Sequence, residues 1–433
     1  MMICENLSVG ANGHLLFGGQ DTEALAAQYG TPLYLMDEDR IRHNCRLYTE
    51  AFRRLFPAGS RVLYASKAAA FRRMYRIMAE EQMGVDVVSV GELYTAVSAG
   101  FDAANAYFHG NNKTDDDIRW AIGQGIGCFV ADNAEELRSI DAEAEAHGIR
   151  QKVLLRLTPG IDTHTYEAVN TGKVDSKFGS AIETGQAEEI TRLALSLPHI
   201  ELLGFHCHVG SQVFGEDVFE RSAVIMLEFL ARIREKYGYT AACLDLGGGY
   251  GVRYVESDPK IDIPAKLESL AQAINAACER LAMPVPAILM EPGRSIVADA
   301  GLTLYRVGAV KRIPGYKNYV SVDGGMSDNP RFALYGSKYT CLPAERMNTP
   351  REMECSVVGR CCESGDIIQE KVMMPDDMRR GELLAVCTTG AYNYSMASNY
   401  NRFGRPPVVM LHGGTSDVAV RRETPEDMAA LDN

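Results

Sequence analysis

The sequence predicts an α/β fold, a (β/α)8 barrel followed by a mainly β domain that also recruits strands from the N-terminus. Three observations predict it. Between about residues 36 and 300 short apolar runs alternate with longer amphipathic segments, eight such runs can be counted, and beyond about residue 300 the texture becomes Val-, Tyr- and Thr-rich runs divided by turns. At 433 residues the chain is too long for one ordinary domain and long enough to bury a large core.

In chain order, residues 1–35 contain "HLLFGGQ" and "TPLYLM", strand-like runs expected to join the β domain. Residues 36–300 carry the expected barrel strands "VLYAS", "GVDVVS", "AYFHG", "CFVAD", "KVLLRLT", "LLGFHCHVG", "CLDLGGG" and "AILMEPG". The clearest helices between them are "NAEELRSIDAEAEAHG", opened by a capping Asn133 and closed at Gly148, and "DVFERSAVIMLEFLARIREKYG". Residues 301–433 hold "LTLYRVGAVKRI", "NYVSVDGG", "MECSVVGRCC", "ELLAVCTTG" and "PPVVMLHGG", expected as a β domain with substrate and dimer-interface loops.

Composition narrows the function classes. Apolar residues make up 46% and charged residues 23%, an ordinary globular balance. A formal charge of -13 offers no field for phosphate backbones or anionic lipid, so nucleic acid and membrane are not expected partners. The eleven cysteines are odd in number and scattered, several inside strand-like runs, which does not suit a disulfide framework. "MMICENLSVGANGH" lacks a basic and an apolar leader region, and the expected setting is soluble and cytoplasmic.

A barrel of this kind places its chemistry at the C-terminal ends of its strands. Those ends carry Lys67, Ser89, His109 with Asn111, Asp132, Arg156, His208, Gly247 to Gly249, and Glu291 with Arg294. A lone strand-end lysine is ordinarily just solvated. An amine partly desolvated beside other cations has a lowered pKa, however, and its neutral form attacks carbonyl carbon. The run "LGGGYG" at 246–251 would let backbone N–H groups close on an anion such as a cofactor phosphate. Glu291, at the end of the eighth strand, could face a pyridine nitrogen and keep it protonated, making the ring an electron sink. Together these suggest pyridoxal 5'-phosphate on Lys67. "HCH" at 206–208 puts two imidazoles on one strand face, a possible zinc pair, but no further ligands stand out by spacing. No metal is expected, and His208 is read as a flat surface against the cofactor ring.

The ordered set "YASKA", "HCHVGSQ", "DLGGGY" and "EPGR" resembles the fold type III pyridoxal-phosphate decarboxylases of basic amino acids. More narrowly, "HGNNKT", "TPGIDTHTYEAVNTGKVDSKFG", "NPRFALYG", "CESGD" and "GAYNYSMASNYN" resemble the meso-diaminopimelate decarboxylase family, over about residues 30 to 405. The resemblance implies a cofactor on Lys67, His208 against its ring, Glu291 at its nitrogen, and its phosphate on Ser211, Gly247, Gly248, Gly249 and Tyr392. It implies Arg294, Arg331 and Tyr335 for the substrate carboxylates, Glu363 for the distal ammonium, and Cys362 as proton donor, with Tyr392 also near the substrate. It further implies a homodimer in which Cys362 and Glu363 come from the partner subunit.

Two departures concern cofactor packing: Val90 stands where "SGGE" is the commoner form, and Asn393 follows Tyr392 where glycine is common. Cys361 beside Cys362 leaves the proton donor ambiguous by one residue, and the adjoining "ESGD" favours Cys362. The resemblance implies decarboxylation of meso-2,6-diaminopimelate to L-lysine and carbon dioxide. A decarboxylase of ornithine, arginine or carboxynorspermidine would share the cofactor site. It would typically carry aspartate after the cysteine, whereas a second amino-acid centre calls for both an acid and additional cations. A non-catalytic pyridoxal-phosphate-binding homologue is the remaining alternative, although such chains tend to lack the β domain, the lysine or the cysteine.

Overall fold

The structure, a computed structural model, describes residues 2–161, 176–215 and 217–433. Most of the run 158–179 singled out above therefore lies outside the described residues. The chain divides into two compact units, Asn44–Gly251 with Ile261–Ser295, and Met1–His43 with Val252–Lys260 and Ile296–Asn433.

The first unit is a closed barrel of eight parallel strands: β1 Arg61–Ala65, β2 Gly84–Val87, β3 Ala106–Phe108, β4 Cys128–Ala131, β5 Gln151–Thr158, β6 Ile200–His206, β7 Cys243–Asp245 and β8 Ala287–Met290. Each strand pairs with its sequence neighbour, and β8 pairs with β1 to close the ring. All eight runs expected as strands are strands. The helices between them start and stop where local chemistry dictates. Asn133 accepts a hydrogen bond from the Glu136 N–H to open Ala134–Ala146. Gly238, left-handed at φ 67, closes Val218–Tyr237 by donating its N–H to Arg234 O at 2.9 Å.

Strand periodicity builds the barrel interior in layers. Cys128, Val130, Leu154, Cys243 and Leu289 form one buried cluster, with Tyr107, Leu203 and Ala287 packed against it. These residues come from strands all around the ring, so the cluster is an apolar plug inside it. Side chains two residues further along a strand share the same face. The next inward layer is therefore His109 after Tyr107, Asp132 after Val130, Arg156 after Leu154, Asp245 after Cys243 and Glu291 after Leu289. The register that aligns His206 with Arg156 and Asp245, and Asp86 with Tyr107, adds two more members.

The second unit is mainly β. Its large sheet runs in the order Ile367–Met374, Met353–Val358, Lys317–Val322, Gly301–Ile313, Leu33–Asp37, Val408–His412 and Thr415–Val420, with Leu383–Cys387 also paired to Gly301–Ile313. "TPLYLM" thus supplies an interior strand of this sheet, antiparallel to one neighbour and parallel to the other. The rest of the N-terminal stretch is less uniform than expected. "HLLFGGQ" lies in a separate three-stranded sheet, and Thr22–Tyr29 is helical because Asp21 caps it and Leu25 and Ala26 face the core. Val252–Lys260 belongs to this β unit although it falls between barrel elements in the chain.

Phe205, fully buried on β6, meets Phe229 of helix Val218–Tyr237 edge-on at 5.3 Å and Tyr239 at 6.3 Å. Replacing Phe205 by Ala should lower barrel stability by about 3–5 kcal/mol, read as a shifted denaturant midpoint in far-ultraviolet circular dichroism. A midpoint equal to that of the unmodified chain would show that the ring does not anchor the helix.

Candidate active site

Lys67 sits in the single turn Ser66–Ala68 directly after β1. The alanines around it explain the "YASKAAA" run. Ala65 donates its N–H to Pro292 O at 3.2 Å, and Ala68 and Ala69 are buried, so small side chains let the end of β1 close against the loop after β8. Lys67 itself is exposed at the mouth, and its charge acts on Asp86, Glu92 and His208.

Below it lies the polar layer. His109 Nε2 is 2.7 Å from Glu291 Oε1, and His206 Nε2 is 3.2 Å from Glu291 Oε2, with the two rings edge-to-face at 4.9 Å. Burial alone would push the Glu291 carboxyl up, but the two imidazoles hold it well below the usual carboxylate range. Burial lowers His206 to about 4 and His208 well below its ordinary value, the latter helped by Lys67 and Arg156, so both rings are neutral. Asp245 is driven well up by burial and by the Glu291 charge, and Asp86 up by burial against the pull of His109.

Among the described residues, ligand atoms of His109, His206 and Glu291 lie within 4.8 Å of one another. His206 is thus grouped with His109 and Glu291, not with the His208 that its spacing suggested. The third ligand invisible in the sequence exists, but His206 Nε2 is already hydrogen-bonded to Glu291 Oε2 and His109 Nε2 stands 2.7 Å from Oε1.

Three strand-end loops stack backbone to backbone beside this layer. Cys207 N–H donates to Asp245 O at 2.9 Å, Glu291 N–H to Gly247 O at 2.8 Å and Val213 N–H to Gly249 O at 2.9 Å. A Cβ at Gly248 would stand 2.0 Å from Glu291 O, and one at Gly249, where φ is +129, 2.0 Å from Gly210 O. Only glycine permits this approach. At the rim, Arg294 reaches Ser211 Oγ through Nη2 at 2.9 Å and Nε at 3.3 Å. A guanidinium, a hydroxyl and a glycine-built loop form a donor set suited to a phosphate. With an accessible lysine, a buried ionised carboxylate and a neutral imidazole at the same mouth, the residues fit pyridoxal phosphate.

In the β unit Arg331 is buried at the start of helix Arg331–Tyr335 and donates Nη1–H to Tyr339 OH at 3.0 Å. Its guanidinium carbon lies 5.3 Å from the Tyr254 ring centre, 5.9 Å from that of Tyr339 and 5.8 Å from that of Tyr392. Among the described residues no carboxylate pairs with it. Tyr392 is held left-handed at φ 63, a strained backbone for a bulky residue. Asn393, the departure from the usual glycine, is fully buried and joins Tyr339 OH to Thr389 O. Tyr335, on the same helix as Arg331, is exposed.

The two adjacent cysteines differ sharply. Cys361 is buried with its N–H on Asp366 Oδ2 at 2.7 Å, and burial pushes its thiol up. Cys362 is exposed, its N–H on Asn401 Oδ1 at 2.8 Å, and the neighbouring Glu363 is also exposed. Of the pair, only Cys362 presents its side chain outward.

Several groups escaped the sequence. Asp86 and Glu92 both feel Lys67, and burial raises Glu92 to about 7. An acid inside the apolar run "GVDVV" was the available signal for Asp86; Tyr254 and Tyr339 had none. Ser89, expected at the rim, caps helix Val90–Ser98 by accepting the Glu92 N–H at 3.1 Å.

Residues 38–298 match the family described as pyridoxal-dependent decarboxylase, pyridoxal binding domain. The chain is 44% identical to the diaminopimelate decarboxylase of Bacillus subtilis, over 97% of this chain and 95% of that one. It is 42% identical to that of Staphylococcus aureus, over 95% and 96%. Among solved structures, diaminopimelate decarboxylase from M. jannaschii in complex with L-lysine superposes with a TM-score of 0.91 at 31% identity, covering 100% of this chain and 99% of that one. The lysine/ornithine decarboxylase of Vibrio vulnificus superposes with a TM-score of 0.75 at 25% identity, covering 90% and 97%. On this near full-length likeness in sequence and fold, the chain belongs to the pyridoxal-dependent decarboxylases, within the diaminopimelate decarboxylase family.

Proposed function

We infer that the chain decarboxylates meso-2,6-diaminopimelate to L-lysine and carbon dioxide, the last step of lysine biosynthesis, with pyridoxal phosphate as cofactor. The observation that carries the substrate assignment is Arg331, a buried guanidinium among three tyrosine rings with no carboxylate partner among the described residues. Such a group suits the carboxylate of a second amino-acid centre, which ornithine and arginine lack.

Bound pyridoxal phosphate supplies an electron sink for the pair left on the substrate α-carbon as carbon dioxide departs. Lys67 would hold the cofactor through Nζ. Glu291, ionised and buried, would keep a proton on the cofactor's ring nitrogen. His208, neutral, would pack against the ring. Ser211, Gly247, Gly248, Gly249 and Tyr392 would hold the phosphate. The 2.9 Å contact with Ser211 supports adding Arg294 to that group, in place of the substrate-carboxylate role expected from the resemblance. Arg331 and Tyr335 take the distal carboxylate and Glu363 the distal ammonium, while Cys362 delivers the proton that replaces the lost carboxyl group.

The family resemblance and the outward presentation of Cys362, Glu363 and Tyr335 support a homodimer in which each site draws Cys362 and Glu363 from the partner subunit. All eleven cysteines are free thiols, which suits the reducing cytoplasm.

The direct test measures carbon dioxide and lysine released from meso-diaminopimelate, with ornithine and arginine as competitors; faster turnover of either competitor would overturn the substrate assignment. Arg331→Ala should raise the KM for diaminopimelate about tenfold to a hundredfold through loss of a charge-assisted contact, with a smaller effect on kcat. An unchanged KM would remove Arg331 from the substrate site.

Lys67→Ala and Cys362→Ala should each be nearly inactive as homodimers. Exchanging subunits between them gives mixed dimers in which one site carries both changes and the other neither, so activity should return. If mass spectrometry confirms exchange and activity stays absent, Cys362 acts within its own subunit.

A further inference from the structure

The roles above leave His109 and His206 without a task, although both lie nine-tenths or more buried against the Glu291 carboxylate, which is held well below the usual carboxylate range. They arrive from different strands, β3 and β6, and meet Glu291 from β8 inside the ring. Each addresses its own oxygen, His109 Nε2 at 2.7 Å from Oε1 and His206 Nε2 at 3.2 Å from Oε2.

We propose that His109 and His206 form a two-imidazole clamp of positioning residues that keeps Glu291 ionised and fixes the plane of its carboxylate toward the cofactor's ring nitrogen. This rests on the reading of Glu291 given above. One donor on one oxygen would leave the carboxylate free to pivot about its terminal torsion, which is broad in glutamate. An imidazole against each oxygen, from a separate strand, removes that freedom: His206 through a hydrogen bond to Oε2, and His109 by close approach of Nε2 to Oε1 at 2.7 Å, outside hydrogen-bond geometry in this resting arrangement.

The tautomer of His206 follows from its surroundings. Its Nδ1 is buried without a hydrogen-bond partner. The single proton of a neutral ring is therefore most useful on Nε2, where it meets a carboxylate oxygen. The other groups facing Glu291 are Asp86 of β2, Arg156 of β5 and Asp245 of β7, with Lys67 and His208 nearby. Asp86 and Asp245 are both driven toward their neutral forms by burial, so among these acids the charge settles on the one with an imidazole at each oxygen.

The sign of the pH effect follows. A carboxylate whose pKa is depressed keeps its charge until the pH falls through that low value. Loss of a donor raises the pKa, so the charge is lost at a higher pH.

The test prepares apoenzyme of the unmodified chain and of His206→Leu, His206→Gln, His109→Leu, His109→Gln and Glu291→Gln, and measures equilibrium binding of pyridoxal phosphate from mildly acidic to mildly alkaline buffer. Each leucine variant should bind at least about tenfold more weakly in acid, with the acid limb of binding moved up by about one pH unit or more. The glutamine variants, which retain an amide N–H donor, should recover most of both losses. In the reconstituted leucine enzymes kcat should follow the shifted limb while the KM for diaminopimelate holds.

Leucine variants with the unmodified pH profile, beside a Glu291→Gln enzyme that has lost turnover, would overturn the clamp and leave the role of Glu291 standing. Equal impairment of leucine and glutamine variants at every pH would also overturn it, since packing alone would then explain the imidazoles. A Glu291→Gln enzyme with normal turnover would instead overturn the role of Glu291. If one leucine variant does not fold, the glutamine variant at that position and the pair at the other histidine carry the same comparison.

Discussion

Glu291 must stay charged inside a closed barrel, where an unpaired ion would cost several kcal/mol in lost solvation, and much of the surrounding architecture answers that demand. A strand alternates its faces, so the residue that continues an apolar column at the strand end inherits the inward direction whether or not it is apolar. The plug of Cys128, Val130, Leu154, Cys243 and Leu289 therefore dictates where the next layer points. Excluding water from the plug also gives every charge above it longer reach. The layer is consequently a single electrostatic unit, in which Asp86 and Asp245 are driven toward neutrality while Glu291 is not.

A second constraint is the close stacking of the loops after β6, β7 and β8. Gly248 touches the backbone of Glu291, and Glu291 donates its N–H to Gly247 O, so the glycine loop after β7 also fixes the height of the carboxylate. The loop and the carboxylate are thereby placed by one piece of backbone. In the β unit, rigidity comes from aromatic packing. Three rings surround Arg331, and the left-handed backbone at Tyr392 is tolerated because Asn393 beside it is tied to Tyr339 and Thr389.

The barrel was legible because its signals are local: apolar runs of strand length, helix caps such as Asn133, and glycine stops such as Gly238. Lys67, Glu291 and the glycine run were legible by counting strands to their ends. What stayed hidden depends on contacts between residues far apart in the chain. His206 and Glu291 are 85 residues apart, and nothing near either announces the other. The grouping of His206 with His109, the tyrosines around Arg331 and the membership of Val252–Lys260 in the β unit belong to the same class. Cys361 and Cys362 share one sequence environment, and only the fold turns one inward to Asp366 and the other out.

Lys113, in the loop after β3, shows how the barrel treats a second amine. Its side chain is 1% exposed, and its three ammonium protons go to Gly110 O at 3.0 Å, Val130 O at 2.8 Å and Glu136 Oε1 at 2.7 Å. An amine with every proton committed presents no lone pair to an incoming electrophile, whereas Lys67 stands accessible at the rim. Two lysines of the same barrel thus differ in chemoselectivity by burial, and an aldehyde entering the mouth would meet Lys113 already enclosed and hydrogen-bonded.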